Sequence, residues 1–473
     1  MQYSSTRGEA PALGFEDTIM TGLAPDGGLY MPDHLPHWSA DDLRALRGQP
    51  YHAVAAAVMR PFLADALDGD TLDRLTRRVY GGDRFRHSAT APLVQLGPND
   101  WVLELFHGPT LAFKDFALQF LGQLFDLFTR RQGRRLTILG ATSGDTGSAA
   151  IEGCRGAEAV DIFMLHPKGR VSEVQRRQMT TVDAPNVVNI AVDGTFDDCQ
   201  ALVKAAFADA AFRDQVGLSA VNSINWARVM AQIVYYVYAA VALGAPDRPV
   251  SFSVPTGNFG DVFAGYLARR MGLPVEMLAI ATNANDILTR FRETGRYERG
   301  PVASTLSPSM DIGISSNFER LLFDLLDGDS GAVRGHMESL KQSDGFTLPD
   351  QAVSRFRGLF TAARVDDAGT VATMKDVLAD TGLLLDPHTA IGFDVARRTL
   401  PEDGAARVTL ATAHPAKFAD AVTRVQDGPA PLPPHLADLM SAPERYDTLP
   451  ADLEALKARM LKGATPGPVR GSA

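Results

Sequence analysis

The sequence predicts an α/β protein built on largely parallel sheets, and three observations carry that expectation. Short apolar runs alternate with amphipathic helical patterns from residue 91 onward. Two of these runs lead through Gly-rich turns, at 140–147 and 256–260, directly into helices. Apolar runs alternating with helices indicate parallel strands covered on both faces. The chain is also 473 residues long, too long for one ordinary core, so two or three domains are expected.

In chain order, residues 1–90 hold the turn Ala24-Pro25-Asp26-Gly27-Gly28 and helical patterns over 41–47 and 52–67. They read as an N-terminal extension or small domain. Residues 91–225 form a smaller α/β domain, with strands at Leu136–Leu139, Asp161–Leu165 and Asn186–Val192. Residues 226–430 form a larger one, with strands at Pro249–Val254, Met277–Ala281 and Arg407–Ala411. Within it, 316–385 reads as a helical insertion with no convincing strand. Residues 431–473 form a C-terminal segment. It is reached through a stiff, Pro-rich connector at 426–434, and its Gly/Pro/Ala-rich tail from Gly463 is expected to be disordered.

Composition narrows the function. A hydrophobic content of 45% with 22% charged residues is that of a soluble globular protein. The 46 basic and 56 acidic residues leave a net charge of −10, which argues against a nucleic-acid partner. Cys154 and Cys199 lack CxxC spacing and read as reduced structural thiols of a cytoplasmic protein. The N-terminus shows no apolar core of a signal peptide. The apolar run Val229–Ala245, broken by Gln232 and three tyrosines, is shorter than the ~20 residues of a membrane span and predicts a buried helix.

Five segments carry chemistry. In Leu105-Phe-His-Gly-Pro-Thr-Leu-Ala-Phe-Lys-Asp-Phe-Ala117 one lysine, Lys114, stands among apolar neighbours. Burial disfavours an ammonium, so such a lysine suits imine formation; a lysine snorkelling at a helix start is the alternative. The turn Thr256-Gly257-Asn258-Phe259-Gly260 joins a strand to a helix, where unpaired N–H groups and the dipole favour an anion. It lacks the lysine of a nucleotide P-loop and the spacing of a dinucleotide fingerprint.

The turn Ala141-Thr142-Ser143-Gly144-Asp145-Thr146-Gly147-Ser148 suits a carboxylate or phosphate oxygen, or else serves as a Ser/Thr-rich N-cap. Thr412, in Thr412-Ala-His-Pro-Ala-Lys-Phe418, ends a strand where α/β sites collect polar groups. His414 and Lys417 in the same segment read equally as solvated loop residues. His166-Pro-Lys168-Gly-Arg170 is a further anion candidate, or a surface charge cluster. No histidines show metal-ligand spacing, so no metal is expected. Lys114 and the turns together make a pyridoxal-phosphate site the best reading of the chain.

Further blocks sharpen this. Tyr3-Ser-Ser-Thr-Arg7, Leu23-Ala-Pro-Asp-Gly-Gly-Leu-Tyr30, Phe196-Asp-Asp-Cys-Gln200, Asn222-Ser-Ile-Asn225 and Met310-Asp-Ile-Gly-Ile-Ser-Ser-Asn-Phe318 occur in that order around the motifs above. Over nearly the whole length the chain resembles the threonine synthase family, in the branch typical of many bacteria and fungi. The resemblance implies a fold-type II (tryptophan synthase β-like) enzyme with pyridoxal 5′-phosphate between two α/β domains. The implied reaction converts O-phospho-L-homoserine and water to L-threonine and phosphate by γ-elimination and β-addition of water, the last step of threonine biosynthesis.

By that resemblance, Lys114 would hold the cofactor as a Schiff base and then shuttle protons at Cα and Cβ. Gly257, Asn258, Phe259 and Gly260 would bind the cofactor phosphate through backbone amides, with Thr256 adding a hydroxyl. Thr412 would lie beside the pyridine nitrogen, where a neutral partner moderates the electron sink. Thr142, Ser143 and Thr146 would hold the substrate carboxylate, and Lys168 and Arg170 the leaving phosphate. Asp145 stands where many relatives have Asn near the 3′-oxygen of the cofactor. An ionised Asp cannot donate to that oxygen, so it is either protonated or faces elsewhere.

The implied assembly is a monomer, with a homodimer as the alternative. A threonine-synthase-like phospholyase releasing 2-oxobutanoate would share these motifs. A non-catalytic relative binding a phosphate ligand is the reading from another class.

Overall fold

In the computed structural model, which describes residues 1–402 and 404–463, the chain divides into two compact units. One comprises Met1–Ile19, Leu23–Phe113 and Ser223–Ala430; the other comprises Met20–Gly22, Lys114–Asn222 and, among the described residues, 431–463.

The second unit is built on a five-stranded parallel sheet. Its order is Asp447–Pro450, Val187–Asp193, Val160–Pro167, Leu136–Ala141 and Leu218–Ser219. All eight residues of Val160–Pro167 are buried, as a central parallel strand with both faces covered requires. Leu139, Phe163, Leu165, Ile190 and Val192 pack with Cys199 and Leu202, and with Leu456 and Met460 from the helix Leu453–Gly463. The helix Lys114–Arg131 begins at the lysine and buries Phe116, Phe120, Leu121 and Phe125.

The first unit holds a six-stranded sheet in the order Phe360–Arg364, Val275–Thr282, Val250–Pro255, Ala406–Ala411, Asp100–Glu104 and Leu93–Gln95. Only the last pair is antiparallel. The helix Pro387–Thr399 lies on this sheet through Ile391, Val395 and Ala396, which share a core with Ala279, Ala281 and Met310. Gly392 allows the close approach, since a Cβ there would stand 3.1 Å from both Pro255 and Thr409. The helix Trp226–Ala242 is almost wholly buried, as its apolar run predicts.

Several expectations need correction. Residues 1–90 are not a separate body. Tyr3, Phe62 and Trp226 form one aromatic cluster, and Arg7 pairs with Glu319 through two hydrogen bonds of 3.0 and 2.9 Å. Residues 91–113 join the first unit, not that of Lys114, because Asp100–Glu104 pairs with Ala406–Ala411. Residues 431–463 join the second unit because Asp447–Pro450 extends its sheet.

The stretch 316–385 is not strand-free either: Phe360–Arg364 pairs in parallel with Val275–Thr282 at the sheet edge. Its Phe-Thr-Ala-Ala-Arg sequence follows a helix without turn residues, so no local signal announces it. Residues 464–473, most of the tail expected to be disordered, lie outside the described residues.

Candidate active site

Two groups of residues, one in each unit, carry the chemistry. In the second unit Lys114 is the first residue of its helix, and its side chain is 11% exposed. Its Nζ donates to Oδ2 of Asp145 at 3.2 Å, and the Asp145 side chain is 3% exposed. Gln175 Nε2 donates to the other carboxylate oxygen at 2.7 Å. Asp145 therefore faces the lysine amine and an amide, a carboxylate–ammonium pair within a mostly buried network.

Gln175 was missed by sequence reasoning. Its signal is the N-cap Ser172, whose hydroxyl accepts the Gln175 N–H and places it in the first turn of the helix Glu173–Thr180.

The loop before the helix Asp145–Cys154 is shaped by Thr142. Its hydroxyl accepts the N–H groups of Gly144 (3.0 Å) and Gly147 (2.9 Å) and donates to the Gly144 carbonyl. Thr142 is thus buried within the loop, whereas Ser143 is exposed and Thr146 half-buried. Gly147 has no room for a side chain: a Cβ would sit 2.4 Å from the Thr142 methyl.

Lys168 and Arg170 stand on the exposed turn after Val160–Pro167. Lys168 makes a solvated pair with Asp193, 54% and 55% exposed, at 3.0 Å. His166, on the same strand, is buried and held neutral: burial first, and Arg176 second, lower it to about 4. Arg176 itself grips Glu444 with two bonds of 2.8 and 3.0 Å.

In the first unit, the loop Thr256–Gly260 follows the strand Val250–Pro255 and opens the helix Gly260–Arg270. Phe259 adopts φ +65°, a conformation costing a bulky residue about 1–2 kcal/mol. Its buried ring, set against Phe318 and Phe360 at 5.5 and 5.9 Å, holds it there. The N–H groups of residues 257–260 donate to no protein acceptor among the described residues. Thr256 directs its hydroxyl to the Val254 carbonyl at 2.6 Å.

A second segment, 309–317, collars this loop. Ser315 Oγ donates to the Gly257 carbonyl at 2.6 Å, and the Asn317 N–H donates to the Asn258 carbonyl at 3.0 Å. The Ser309 carbonyl stands 2.8 Å from where a Cβ on Gly257 would lie, so only glycine fits. The sequence carries no local sign of this segment's role, which depends on contacts distant in the chain.

Thr412 follows Ala406–Ala411, the parallel neighbour of Val250–Pro255, so Thr412 and Thr256 leave the sheet at the same, C-terminal end of its strands. The Thr412 carbonyl accepts the Phe113 N–H at 2.9 Å. His414 and Lys417 are not solvated loop residues. Lys417 is buried and donates to the Thr110 carbonyl at 2.6 Å. Burial, reinforced by His107, lowers His414 to about 4. Among the described residues no group of three or more His, Cys, Asp or Glu could hold a metal.

A buried lysine paired with a carboxylate, and a glycine loop of unpaired amides at a helix start, fit an aldehyde cofactor that carries a phosphate. The comparisons give the same class: residues 89–339 match the model for pyridoxal-phosphate-dependent enzymes. Residues 2–80 and 389–460 match the models for the threonine synthase N terminus and the threonine synthase C-terminal region.

A threonine synthase of Pseudomonas aeruginosa is 55% identical over 459 residues, 97% of each chain. The crystal structure of a PLP-bound threonine synthase from Brucella melitensis superposes with a TM-score of 0.96 at 54% identity, covering 98% of this chain and 100% of that one. The yeast enzyme superposes at 0.92 with 42% identity and 98% of each chain covered. The chain belongs to the threonine synthase family, and its cofactor is pyridoxal 5′-phosphate.

Proposed function

We propose that the substrate is O-phospho-L-homoserine, converted with water to L-threonine and phosphate, and that the residues above divide the work as follows. Lys114, mostly buried and paired with Asp145, is the observation that supports this reading most directly. Pyridoxal phosphate, when bound, supplies an electron sink for charge developing at the substrate Cα.

Lys114 holds the cofactor and, once released by the substrate amine, takes a proton from Cα and then one from Cβ. Asp145 orients its Nζ and keeps a counter-charge beside it, with Gln175 fixing the carboxylate. The amides of 257–260 would take the cofactor phosphate, Thr256 adding its hydroxyl on turning away from the Val254 carbonyl, and Thr412 would stand at the ring nitrogen. Ser143 and Thr146 take the substrate carboxylate, within a loop that Thr142 shapes. Lys168 and Arg170 supply positive charge for the departing phosphate. Water adds at Cβ only after that departure, so the residues around Lys114 must exclude it earlier.

The protein acts as a monomer in the cytoplasm. Two buried free thiols support that location, and among the described residues no helix is long and apolar enough to cross a membrane. Light scattering at working concentration checks the oligomeric state.

The deciding experiment gives purified holoenzyme O-phosphohomoserine and quantifies threonine, 2-oxobutanoate and phosphate together. The expected result is threonine equal to phosphate, with Lys114→Ala losing on the order of 10²–10⁴-fold or more. Phosphate with 2-oxobutanoate would assign a phospholyase instead, and no phosphate release would mean a different substrate.

A further inference from the structure

The helix Pro387–Thr399 opens with a histidine that the division of work above does not use. Asp386 caps this helix, accepting the N–H groups of His388 (3.0 Å) and Thr389 (3.3 Å). Its Oδ1 also lies 2.8 Å from Nδ1 of His388. The two side chains are 0% and 3% exposed, and the imidazole lies beside Phe418, ring centroids 4.8 Å apart. On the far side of the ring, Nε2 is 3.2 Å from the backbone nitrogen of Ser309.

A backbone N–H can only donate, so Nε2 is the lone-pair nitrogen and Nδ1 carries the proton. The Asp386 carboxylate accepts that proton's hydrogen bond and so selects the tautomer. The relay runs from a buried carboxylate through one imidazole to one peptide.

That peptide belongs to the collar. The Ser309 carbonyl abuts Gly257, as its 2.8 Å distance from a Cβ placed there shows. Further along, Ser315 and Asn317 hold the carbonyls of Gly257 and Asn258. The far end of the collar is anchored twice: the Tyr297 hydroxyl accepts the Ser315 N–H at 2.9 Å, and Arg320 grips the Asn317 side chain. His388 is the corresponding anchor of the near end.

We propose that His388 is a positioning residue: by accepting the Ser309 N–H it sets the collar, and through the collar the aim of the amides at 257–260. This rests on the reading that those amides take the cofactor phosphate. His388 touches neither cofactor nor substrate in this role.

The test compares affinities of the full-length apo-protein for pyridoxal phosphate and for pyridoxal, which lacks the phosphate, read by absorbance titration. His388→Leu keeps bulk but removes the acceptor. His388→Gln returns an acceptor oxygen near the Nε2 position. The expected result is that His388→Leu weakens pyridoxal phosphate about tenfold, the loss of one buried hydrogen bond, while pyridoxal affinity is unchanged. His388→Gln recovers most of the difference.

Gly257→Ala serves as the control for the loop. If Gly257→Ala removes the preference for the phosphate and His388→Leu does not, the role of His388 is refuted and the loop reading stands. If neither changes the preference, the loop reading itself fails and the proposal with it. Should His388→Leu not fold, His388→Asn keeps a donor beside Asp386 but falls short of Ser309, and the same comparison applies.

Discussion

Replacing Glu444 by Gln tests how the C-terminal segment supports the site. Glu444 accepts two bonds from Arg176 and one from Thr180 at 2.7 Å, and both belong to the helix that carries Gln175. The pairing with Arg176 holds the Glu444 carboxyl at about 2, against an ordinary 4.5. At about 1.4 kcal/mol per pH unit the difference corresponds to about 3 kcal/mol. Solvent reaches 18% of Glu444 and 26% of Arg176, and screening reduces the expected contribution to about 1–2 kcal/mol.

The contribution is fully present above pH 4.5 and is lost as the pH falls through about 2, because the folded state holds its proton less tightly than the unfolded one. Glu444→Gln should therefore lower Tm by about 3–6 °C at pH 7. The gap to wild type should narrow steadily below pH 4.5, where the unfolded chain takes up a proton that folded Glu444 still excludes. Differential scanning fluorimetry from pH 3 to 8 measures both effects. Equal Tm values at pH 7, or a gap that stays constant down to pH 3, would refute the argument.

Three further outcomes are expected. Asp145→Leu removes the carboxylate that accepts from the mostly buried Lys114 Nζ at 3.2 Å and should cost about 3 kcal/mol in urea unfolding of the apo-protein. The double variant Lys114→Met/Asp145→Leu should recover most of that loss, and equal losses would show the two groups to be uncoupled. Burial raises the Cys154 and Cys199 thiols to about 12 and about 11. Fewer than about one in a thousand is then thiolate at pH 8, and neither should react with a thiol reagent until the protein unfolds. His166 and His414, both lowered to about 4, should show neutral-imidazole nitrogen shifts by NMR down to about pH 5.

What the sequence made legible follows from where the determining interactions lie. Six strands were readable because a parallel strand covered on both faces is a continuous apolar run ending at a turn, as in Val160–Pro167. Leu218–Ser219 is two residues long and Asp447–Pro450 is half exposed, so neither leaves such a run. The division into units was unreadable for a different reason. Sheet pairing, as between Asp100–Glu104 and Ala406–Ala411, decides which unit a segment joins, and pairing across some three hundred residues has no local signature.

At the site, Lys114 and the 256–260 turn announce themselves by residue type. Gln175, Ser315 and His388 do not, because each acts on another residue's backbone or carboxylate, and that partner is visible only once the chain has folded. Lys417 shows the reverse case: a lysine in a Pro-containing loop reads as solvated until a buried carbonyl is found opposite it.

The pairing of Arg7 with Glu319 spans 312 residues, and that of Arg320 with the Tyr30 carbonyl spans 290. A ribosome adding about 5–20 residues per second needs roughly 15–60 s to cover the longer interval. For most of that interval Tyr3, Tyr30 and Phe62 have been made while Glu319 and Arg320 have not. These pairings of the first unit therefore cannot form until residues 319 and 320 have been made. For roughly 15–60 s the nascent N-terminal segment thus lacks the partners that bury it in the finished fold.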